Sequence, residues 1–127
     1  MSKTNVKTKV QNAFDQFCEG YRTKDMKMML DTMRSDAQYL APEEKLATGK
    51  EDIAKIIKKY LEKYIDVNID VHETGLASED GHVYSLGAYR IHKADGSAIE
   101  TGKTLTIWDM KDDQCLLYRN MWNGDSA

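Results

Sequence analysis

The chain has 127 residues, of which 41% are hydrophobic and 31% are charged, and its formal net charge is −3. This length fits one domain, 1–127, and the apolar fraction is too high for a disordered chain. The slight negative charge argues against a protein that binds nucleic acid, because such proteins concentrate Lys and Arg on one face. No apolar run approaches the roughly 18 residues of a membrane-spanning helix, and the polar amino terminus does not fit a signal peptide. We therefore expect a cytoplasmic protein without a membrane or nucleic-acid partner.

The cysteines and histidines do not form a reactive or metal-binding motif. Cys18 and Cys115 lie far apart in a domain that needs no disulfide, so we expect reduced thiols. His72, His82 and His92 are spread along the chain without the close ligand spacing of zinc motifs. The glycines do not form a phosphate-binding loop. The sequence therefore predicts no metal and no cofactor.

Apolar residues at helical spacing predict two helices at the start of the chain, over 3–21 and 26–33. A short strand over 37–40 follows, and the only proline, Pro42, ends it. Each helix has a single narrow apolar stripe. Both helices must therefore cover another element.

A third helix is predicted to begin at Thr48. Thr48 and Glu51 stand three residues apart before an apolar periodic run, which is the pattern of a capping box. In that arrangement each side chain accepts a hydrogen bond from the backbone N–H of the other residue. The apolar run extends to Tyr64, and lysines on the opposite side form a solvated face.

The second half of the chain alternates apolar and polar residues, which predicts β-strands. One strand covers 65–71 and the next covers 82–92, and the dipeptide Asp95-Gly96 is typical of a tight hairpin turn. Two further strands, over 98–110 and 115–122, flank a second turn. The predicted order is helix, helix, short strand, helix and then four consecutive antiparallel strands.

Two-residue loops at 95–96 and 112–113 would set the registers of the last three strands. Under these registers one face carries Lys103, Asn120 and Trp122, and we expect that face to line a cavity. The opposite face is also rich in apolar residues, and three helices can cover only one face of a sheet. A single β-bulge would exchange the faces beyond it. We predict a homodimer through the convex sheet face, in which the buried residues are Tyr89, Trp108, Leu117 and Met121.

The layout resembles the nuclear transport factor 2-like superfamily, in particular its ketosteroid isomerase-like and SnoaL-like branches. The features that carry the resemblance are the helix that ends before Asp36-Ala37, the strand with Pro42, the helix opened by Thr48-Gly49, and the last strand with residues 118–123. The resemblance covers almost the whole chain. It implies an α+β fold shaped like a cone, with three N-terminal helices packed on a strongly bent antiparallel β-sheet. It also implies an apolar cavity and, frequently, a sheet-to-sheet dimer.

The residues that perform ketosteroid isomerisation in that branch are not found at the matching positions. The carboxylate base corresponds to Ala41, and the oxyanion-hole tyrosine corresponds to Cys18. The segment 101–107, where the resemblance places a protonated Asp, contains no carboxylate. Ketosteroid isomerisation is therefore not expected, and the sequence leaves open whether the protein is an enzyme.

The sequence favours a protein that binds a small apolar or aromatic molecule in a pocket of the cone. If it is an enzyme, we expect an isomerase, dehydratase or hydrolase without a metal, in which Asn120 and a tyrosine polarise the substrate. Tyr118 and Lys103 are the other chemical candidates. The alternative is a non-enzymatic oligomerisation or adaptor domain whose cavity is filled. The predicted ligand-binding residues are Tyr39, Tyr84, Arg90, Thr101, Lys103, Tyr118, Asn120 and Trp122.

Overall fold

Three helices pack on one face of a six-stranded sheet whose strand order is β2-β1-β6-β5-β4-β3. The computed structural model describes residues 3–93, 95 and 99–126. The elements are α1 (Lys3–Thr23), α2 (Met26–Leu30), β1 (Met33–Leu40), β2 (Ala47–Thr48), α3 (Gly49–Lys63), β3 (Tyr64–Leu76), β4 (His82–Lys93), β5 (Ile99–Asp109), a 3₁₀ turn (Lys111–Asp113) and β6 (Leu116–Gly124). The predicted α+β class, the three helices and the antiparallel order of β3 to β6 are confirmed.

The first strand differs from the prediction in length and in pairing. It begins at Met33, and it runs parallel to β6, with Tyr39 opposite Asn120. The side chain of Asp25 caps the short helix α2, because its Oδ1 accepts a hydrogen bond from the backbone N–H of Met28 at 3.1 Å. Helix α2 ends at Leu30, three residues before the predicted end at Met33, because Met33 already belongs to β1.

The predicted capping box at the start of α3 is wrong. Thr48 is the N-cap residue, but its side chain makes no capping hydrogen bond. Its hydroxyl instead accepts a hydrogen bond from Nε2 of Gln38 at 2.9 Å, because Thr48 also belongs to β2 and lies beside Gln38 on β1. Its backbone N–H donates to Oδ2 of Asp52 at 3.4 Å and not to Glu51.

The registers of the last three strands agree with the prediction as far as Leu117 on β6. Arg90 lies opposite Thr101, as a two-residue loop at 95–96 requires, although Gly96 itself lies outside the described residues. In the next hairpin, Asp109 lies opposite Leu116, and the connection is a 3₁₀ turn and not a two-residue loop.

A β-bulge at Tyr118 then exchanges the faces. Trp108 lies opposite Leu117 while Ile107 lies opposite Arg119, so Tyr118 has no partner on β5. Beyond the bulge, Asn120 pairs with Thr106 and Trp122 pairs with Thr104. The face toward the helices, called the inner face below, therefore differs from the predicted cavity face on β4 and β5.

This exchange corrects two sets of predicted positions. Tyr84, Arg90, Thr101 and Lys103 were placed on the cavity face, but they lie on the outer face. Tyr89, Trp108 and Leu117 were placed on the convex face, but they are 9%, 1% and 3% exposed on the inner face. Met121 lies on the outer face, as predicted, and is 41% exposed.

The core is centred on Trp108. Its ring meets the ring of Phe14 on α1 edge to face, with 5.0 Å between the centroids. Its indole N–H donates to Oγ of the buried Ser85 at 2.9 Å, so the polar end of the side chain has a partner. No helix within the described part of the chain is long and apolar enough to cross a membrane.

Exchanging Trp108 for glutamate tests the face assignment. Trp108→Glu places an unpaired charge in the core, so we expect the free energy of unfolding to fall by about 4 kcal/mol or more. The matched control is Leu76→Glu, at the end of β3, where Leu76 is 79% exposed. It is expected to change the free energy of unfolding by less than about 1 kcal/mol. Urea unfolding followed by circular dichroism measures both, and equal stability losses would contradict the assigned faces.

Candidate functional site

A cavity lies between the inner face of the sheet and the helices α1 and α3. Protein atoms leave about 780 Å³ of space there, part of which is solvent at the mouth, and the centre of a water molecule has about 90 Å³ in which to move. This is room for several waters or for one small organic molecule. The lining residues are Ala13, Phe14, Phe17, Tyr21, Thr32, Tyr39, Ile57, Tyr60, Val67, Ile69, Tyr89, Ile91, Thr104, Trp108, Leu117, Asn120 and Trp122.

The cavity exists because small side chains occupy the middle of the inner face. The bulky pair Trp108 and Leu117 fills one end of the sheet surface. The two pairs that follow along β4 and β5 are Ser85–Thr106 and Gly87–Thr104. Gly87 has no side chain and the other three side chains are short, so space remains between this part of the sheet and α1.

Asn120 organises a polar cluster on the wall of this cavity. Its Oδ1 accepts hydrogen bonds from the hydroxyls of Thr104 at 3.0 Å and of Thr106 at 2.9 Å. The hydroxyl of Tyr39, which lies opposite it on β1, also interacts with its side chain. Because two hydroxyls already occupy Oδ1, the amide nitrogen of Asn120 is the group that remains for Tyr39. This amide is therefore placed to donate to the oxygen of Tyr39.

Aromatic rings continue the wall from this cluster. The ring of Trp122 meets the ring of Tyr39 edge to face at 5.2 Å between centroids, and the ring of Tyr60 lies 6.0 Å away on α3. The indole of Trp122 is hydrogen-bonded to the hydroxyl of Tyr60. The hydroxyl of Tyr21 donates to the backbone oxygen of Tyr60 at 2.7 Å. Both tryptophans of the chain, Trp108 and Trp122, therefore contact the cavity.

The cavity is electrically neutral at physiological pH. Among the described residues that line it, the only titratable side chains are tyrosines. Burial raises the pKa of Tyr89 to about 12 and raises the pKa of Tyr21 and Tyr39 well above the ordinary phenol value. The hydrogen bond from Asn120 lowers the pKa of Tyr39 by less than burial raises it. The hydroxyls are therefore protonated at physiological pH.

Comparison with known proteins identifies the family. A family model described as a SnoaL-like domain matches residues 14–118. The chain belongs to the SnoaL-like domain family. The predicted resemblance to the nuclear transport factor 2-like superfamily is thereby confirmed. No curated protein sequence matches the chain.

Solved structures share the fold of this SnoaL-like domain at low sequence identity. A ketosteroid isomerase-like protein from Erwinia carotovora is 14% identical, with a TM-score of 0.76 over 95% of this chain and 97% of that chain. An NTF-2 like protein from Shewanella oneidensis is 11% identical, with a TM-score of 0.75 over 91% and 96% of the two chains. A domain with a cystatin-like fold from Nostoc punctiforme is 9% identical, with a TM-score of 0.81 over 99% and 81%. At these identities the similarity concerns the fold alone.

Three of the predicted site residues of the SnoaL-like domain meet at the cavity. Tyr39, Asn120 and Trp122 lie together on its wall. The other two chemical candidates, Tyr118 and Lys103, do not line the cavity. Tyr118 occupies the bulge, with the guanidinium carbons of Arg34 and Arg119 at 4.2 and 3.7 Å from its ring centroid.

The other predicted ligand-binding residues hold strands together on the outer face. Lys103 donates to the backbone oxygen of Gly124 at 3.0 Å, and Thr101 donates to Asp125 at 2.9 Å. The hydroxyl of Tyr84 donates to Glu73 at 2.8 Å. Arg90 is 3.9 Å from Asp70. None of these four side chains lines the cavity. They were predicted to line it because the predicted register did not contain the bulge at Tyr118.

The polar partners of Asn120 and several aromatic lining residues were not predicted from the sequence. Thr104 and Thr106 flank or follow Lys103 on alternating positions, which puts them on the convex face in the predicted register, and Tyr60 is not among the predicted ligand-binding residues. A pair of threonines two residues apart suits either face of a strand, so it did not indicate an interior position. Tyr89 and Trp108 were predicted to be buried, but against a second chain.

The positions that correspond to ketosteroid isomerase residues do not line the cavity. Ala41 is 7% exposed, and Cys18 is 4% exposed. Burial raises the pKa of the Cys18 thiol to about 12, so it is not a thiolate near neutral pH.

His82 contacts Asp80 at 3.0 Å in the β3–β4 turn, where hydrogen bonds from Ser78 and His82 lower the pKa of Asp80 to about 2. The described residues contain no group of three or more His, Cys, Asp or Glu that could hold a metal ion.

The raised pKa values predict alkaline unfolding of the SnoaL-like domain. Folded Cys115, Cys18 and Tyr89 have pKa values of about 11, 12 and 12, above the unfolded values of about 8.5 for a thiol and 10 for a phenol. The native state therefore keeps its protons longer than the unfolded state, and the stabilisation is complete below the unfolded pKa values and disappears as the pH rises through the folded ones. Urea unfolding between pH 7 and 12 should show stability that falls from about pH 8.5 upward. Tyr89→Phe should reduce the slope above about pH 10, and constant stability to pH 11 in the parent would contradict this prediction.

Proposed function

We propose that this SnoaL-like domain binds a small, neutral apolar or aromatic molecule that carries one hydrogen-bond acceptor. The observation that carries the proposal is the lining of the cavity, which is mostly apolar, contains no charged side chain among the described residues and includes the polar cluster around Asn120. Pockets that combine apolar walls with a few fixed polar groups are typical of small-molecule sites.

The direction of the hydrogen bonds indicates which ligand group would bind. Thr104 and Thr106 donate to Asn120, and the amide of Asn120 is placed to donate to Tyr39. Among the hydrogen bonds found for the described residues, none uses the Tyr39 hydroxyl as donor. Its hydrogen is therefore left for a ligand oxygen, such as that of a carbonyl group, and the preceding bonds polarise it further.

Charged ligands fit the cavity poorly. A carboxylate or an ammonium group would lose its hydration without meeting a counter-charge on the lining residues, and that loss costs several kcal/mol. A neutral carbonyl compound would lose less hydration and would gain the bond from Tyr39.

The enzymatic alternative, an isomerase, dehydratase or hydrolase, would use the same pair. Tyr39 and Asn120 could polarise a carbonyl, but the lining residues contain no carboxylate or imidazole to exchange a proton. Ligand binding is therefore the function that the geometry supports best.

Tryptophan fluorescence tests the binding proposal directly, because both tryptophans contact the cavity. Titration with acetophenone and with ethylbenzene compares two one-ring ligands that differ in the carbonyl group. We expect acetophenone to bind about 2- to 10-fold more tightly, as one hydrogen bond contributes about 0.5–1.5 kcal/mol. Tyr39→Phe removes the donor and keeps the ring, so it should abolish this preference.

Tyr84→Phe is the matched control, since it removes a tyrosine hydroxyl from the outer face. It should leave both affinities unchanged. Binding that is absent for both ligands and for a wider panel of neutral aromatic compounds would overturn the proposed function. A preference for benzoate or benzylammonium over acetophenone would overturn it as well.

We also propose that the domain forms a homodimer through its outer sheet face. Four exposed apolar side chains lie side by side across four neighbouring strands: Leu86 opposite Leu105, Leu105 opposite Met121, and Met121 opposite Leu40. Each of them is between 38% and 41% exposed. A continuous apolar row on an open sheet is typical of a surface that another chain covers, and a two-fold axis would bring two copies of the row together. This row replaces Tyr89, Trp108 and Leu117 as the predicted contact.

Leu105→Glu should convert the dimer to a monomer, because it places like charges from two copies against each other. Sedimentation equilibrium of the parent and the variant measures the change. The matched control is Leu76→Glu, at the end of β3, where Leu76 is 79% exposed and outside the row. It should stay dimeric, and a monomeric parent protein at micromolar concentration would contradict the proposed dimer.

A further inference from the structure

We infer that Tyr89 sets the size of the ligand: its ring lies across two glycines on the floor of the cavity and restricts the site to molecules with a single ring. The inference rests on the proposed function, because it concerns the same cavity. Its structural basis is a row of three residues that lie opposite one another on the inner face, Tyr89 on β4, Gly102 on β5 and Gly124 on β6.

The ring of Tyr89 lies directly on the backbone of β5. A Cβ atom added to Gly102 would overlap Cζ and Oη of Tyr89, and it would also overlap the backbone oxygen of Asn123. A Cβ atom added to Gly124 would stand 3.9 Å from Oη of Tyr89. The side chain therefore extends from its own strand across β5 toward β6. Glycine is required beneath it at position 102, whereas a Cβ atom at position 124 would make only an ordinary contact with it.

The two strands beneath the ring are held in place from the opposite side. Thr101 and Lys103, the neighbours of Gly102, point to the outer face and bind the end of β6. Thr101 donates to Asp125 at 2.9 Å, and its backbone oxygen accepts from the backbone N–H of Asp125 at 2.9 Å. Lys103 donates to the backbone oxygen of Gly124 at 3.0 Å. These bonds join β5 to the end of β6 beneath the ring, and a shift of the floor to make room for a larger ligand would have to break them.

Tyr89 occupies space that would otherwise belong to the cavity. It lines the cavity and is 9% exposed, and the inner positions beside it on β5 and β6 carry no side chain. The free space that remains, about 90 Å³ for the centre of a water molecule, suits one ring. Removal of the phenol side chain would expose the backbones of both glycines and add a slot about as large as a second ring.

The same arrangement occurs on the outer face and supplies a matched control. Tyr84 on β4 lies opposite Gly75 on β3, and a Cβ atom on Gly75 would stand 2.6–2.8 Å from the ring and hydroxyl of Tyr84. Tyr84→Ala therefore removes the same side chain from above a glycine of the same sheet without touching the cavity.

The experiment measures the affinities of acetophenone and 2-acetylnaphthalene, which share the carbonyl group and differ by one ring, through the tryptophan fluorescence of the full chain. The parent should bind the one-ring ketone at least about 10-fold more tightly than the two-ring ketone, which corresponds to about 1.4 kcal/mol. Tyr89→Ala should reverse this order. Tyr84→Ala should keep the order of the parent.

Each outcome separates this inference from the proposed function. If the parent binds both ketones equally, or if Tyr89→Ala keeps the preference of the parent, the size limit does not come from Tyr89, and the binding function stands. If the parent binds neither ketone nor any compound of the wider neutral aromatic panel, but Tyr89→Ala binds the two-ring ketone, the proposed function falls, and the role of Tyr89 stands. Should Tyr89→Ala fail to fold, Tyr89→Leu shortens the side chain in a milder way and should shift the preference in the same direction.

Discussion

The unpaired position at Tyr118 decides which residues of this domain face the helices. Before the bulge, Leu117 points inward beside Trp108, and after it Asn120 and Trp122 point inward beside Thr106 and Thr104. Without the extra residue, Asn120 would project from the outer face whenever Leu117 points inward. One inserted backbone position therefore places a polar amide and an indole on the wall of the cavity while the core around Trp108 stays complete.

The resulting interior combines tight packing with a polar cluster whose members form hydrogen bonds with one another. Thr106 is fully buried, and its hydroxyl has Asn120 as partner. Buried polar groups are tolerated when each has a partner, and a closed network also holds its members in one orientation. Small residues in the middle of the sheet leave space beside this cluster, whereas Trp108 at one end and Tyr89 at the other fill theirs. The cavity thus has a polar cluster around Asn120 on one wall and mostly apolar boundaries elsewhere.

The sequence predicted the elements well, because helical and alternating periods are strong in this chain. Three helices, four antiparallel strands and the register of Arg90 against Thr101 all follow from those periods and from a turn signal. The bulge was not predictable from the same signals. It falls where Leu116, Leu117 and Tyr118 follow one another, so the alternation carries no information there about which residue is the extra one.

The candidate site was predictable to the extent that it does not depend on the bulge. Tyr39 lies on β1, outside the exchanged hairpins, and Asn120 and Trp122 were assigned to the cavity together. Lys103 and Thr101 were wrongly assigned to the cavity, because β5 presents its other face to the helices. Both sides of β5 carry residues that tolerate burial, so hydrophobicity alone could not choose between them.

The parallel pairing of β1 with β6 has a consequence for the order of assembly. Tyr39 and Asn120 are directly opposite each other across this pair, although about two thirds of the chain separates them. Contacts of such long range form late, after the local hairpins and helices. During synthesis the wall of the cavity at Tyr39 remains incomplete until β6 has emerged and closed against β1. A molecule that fills the cavity would therefore stabilise the closed sheet relative to partly folded forms. Such a molecule would shift the folding equilibrium toward the complete domain.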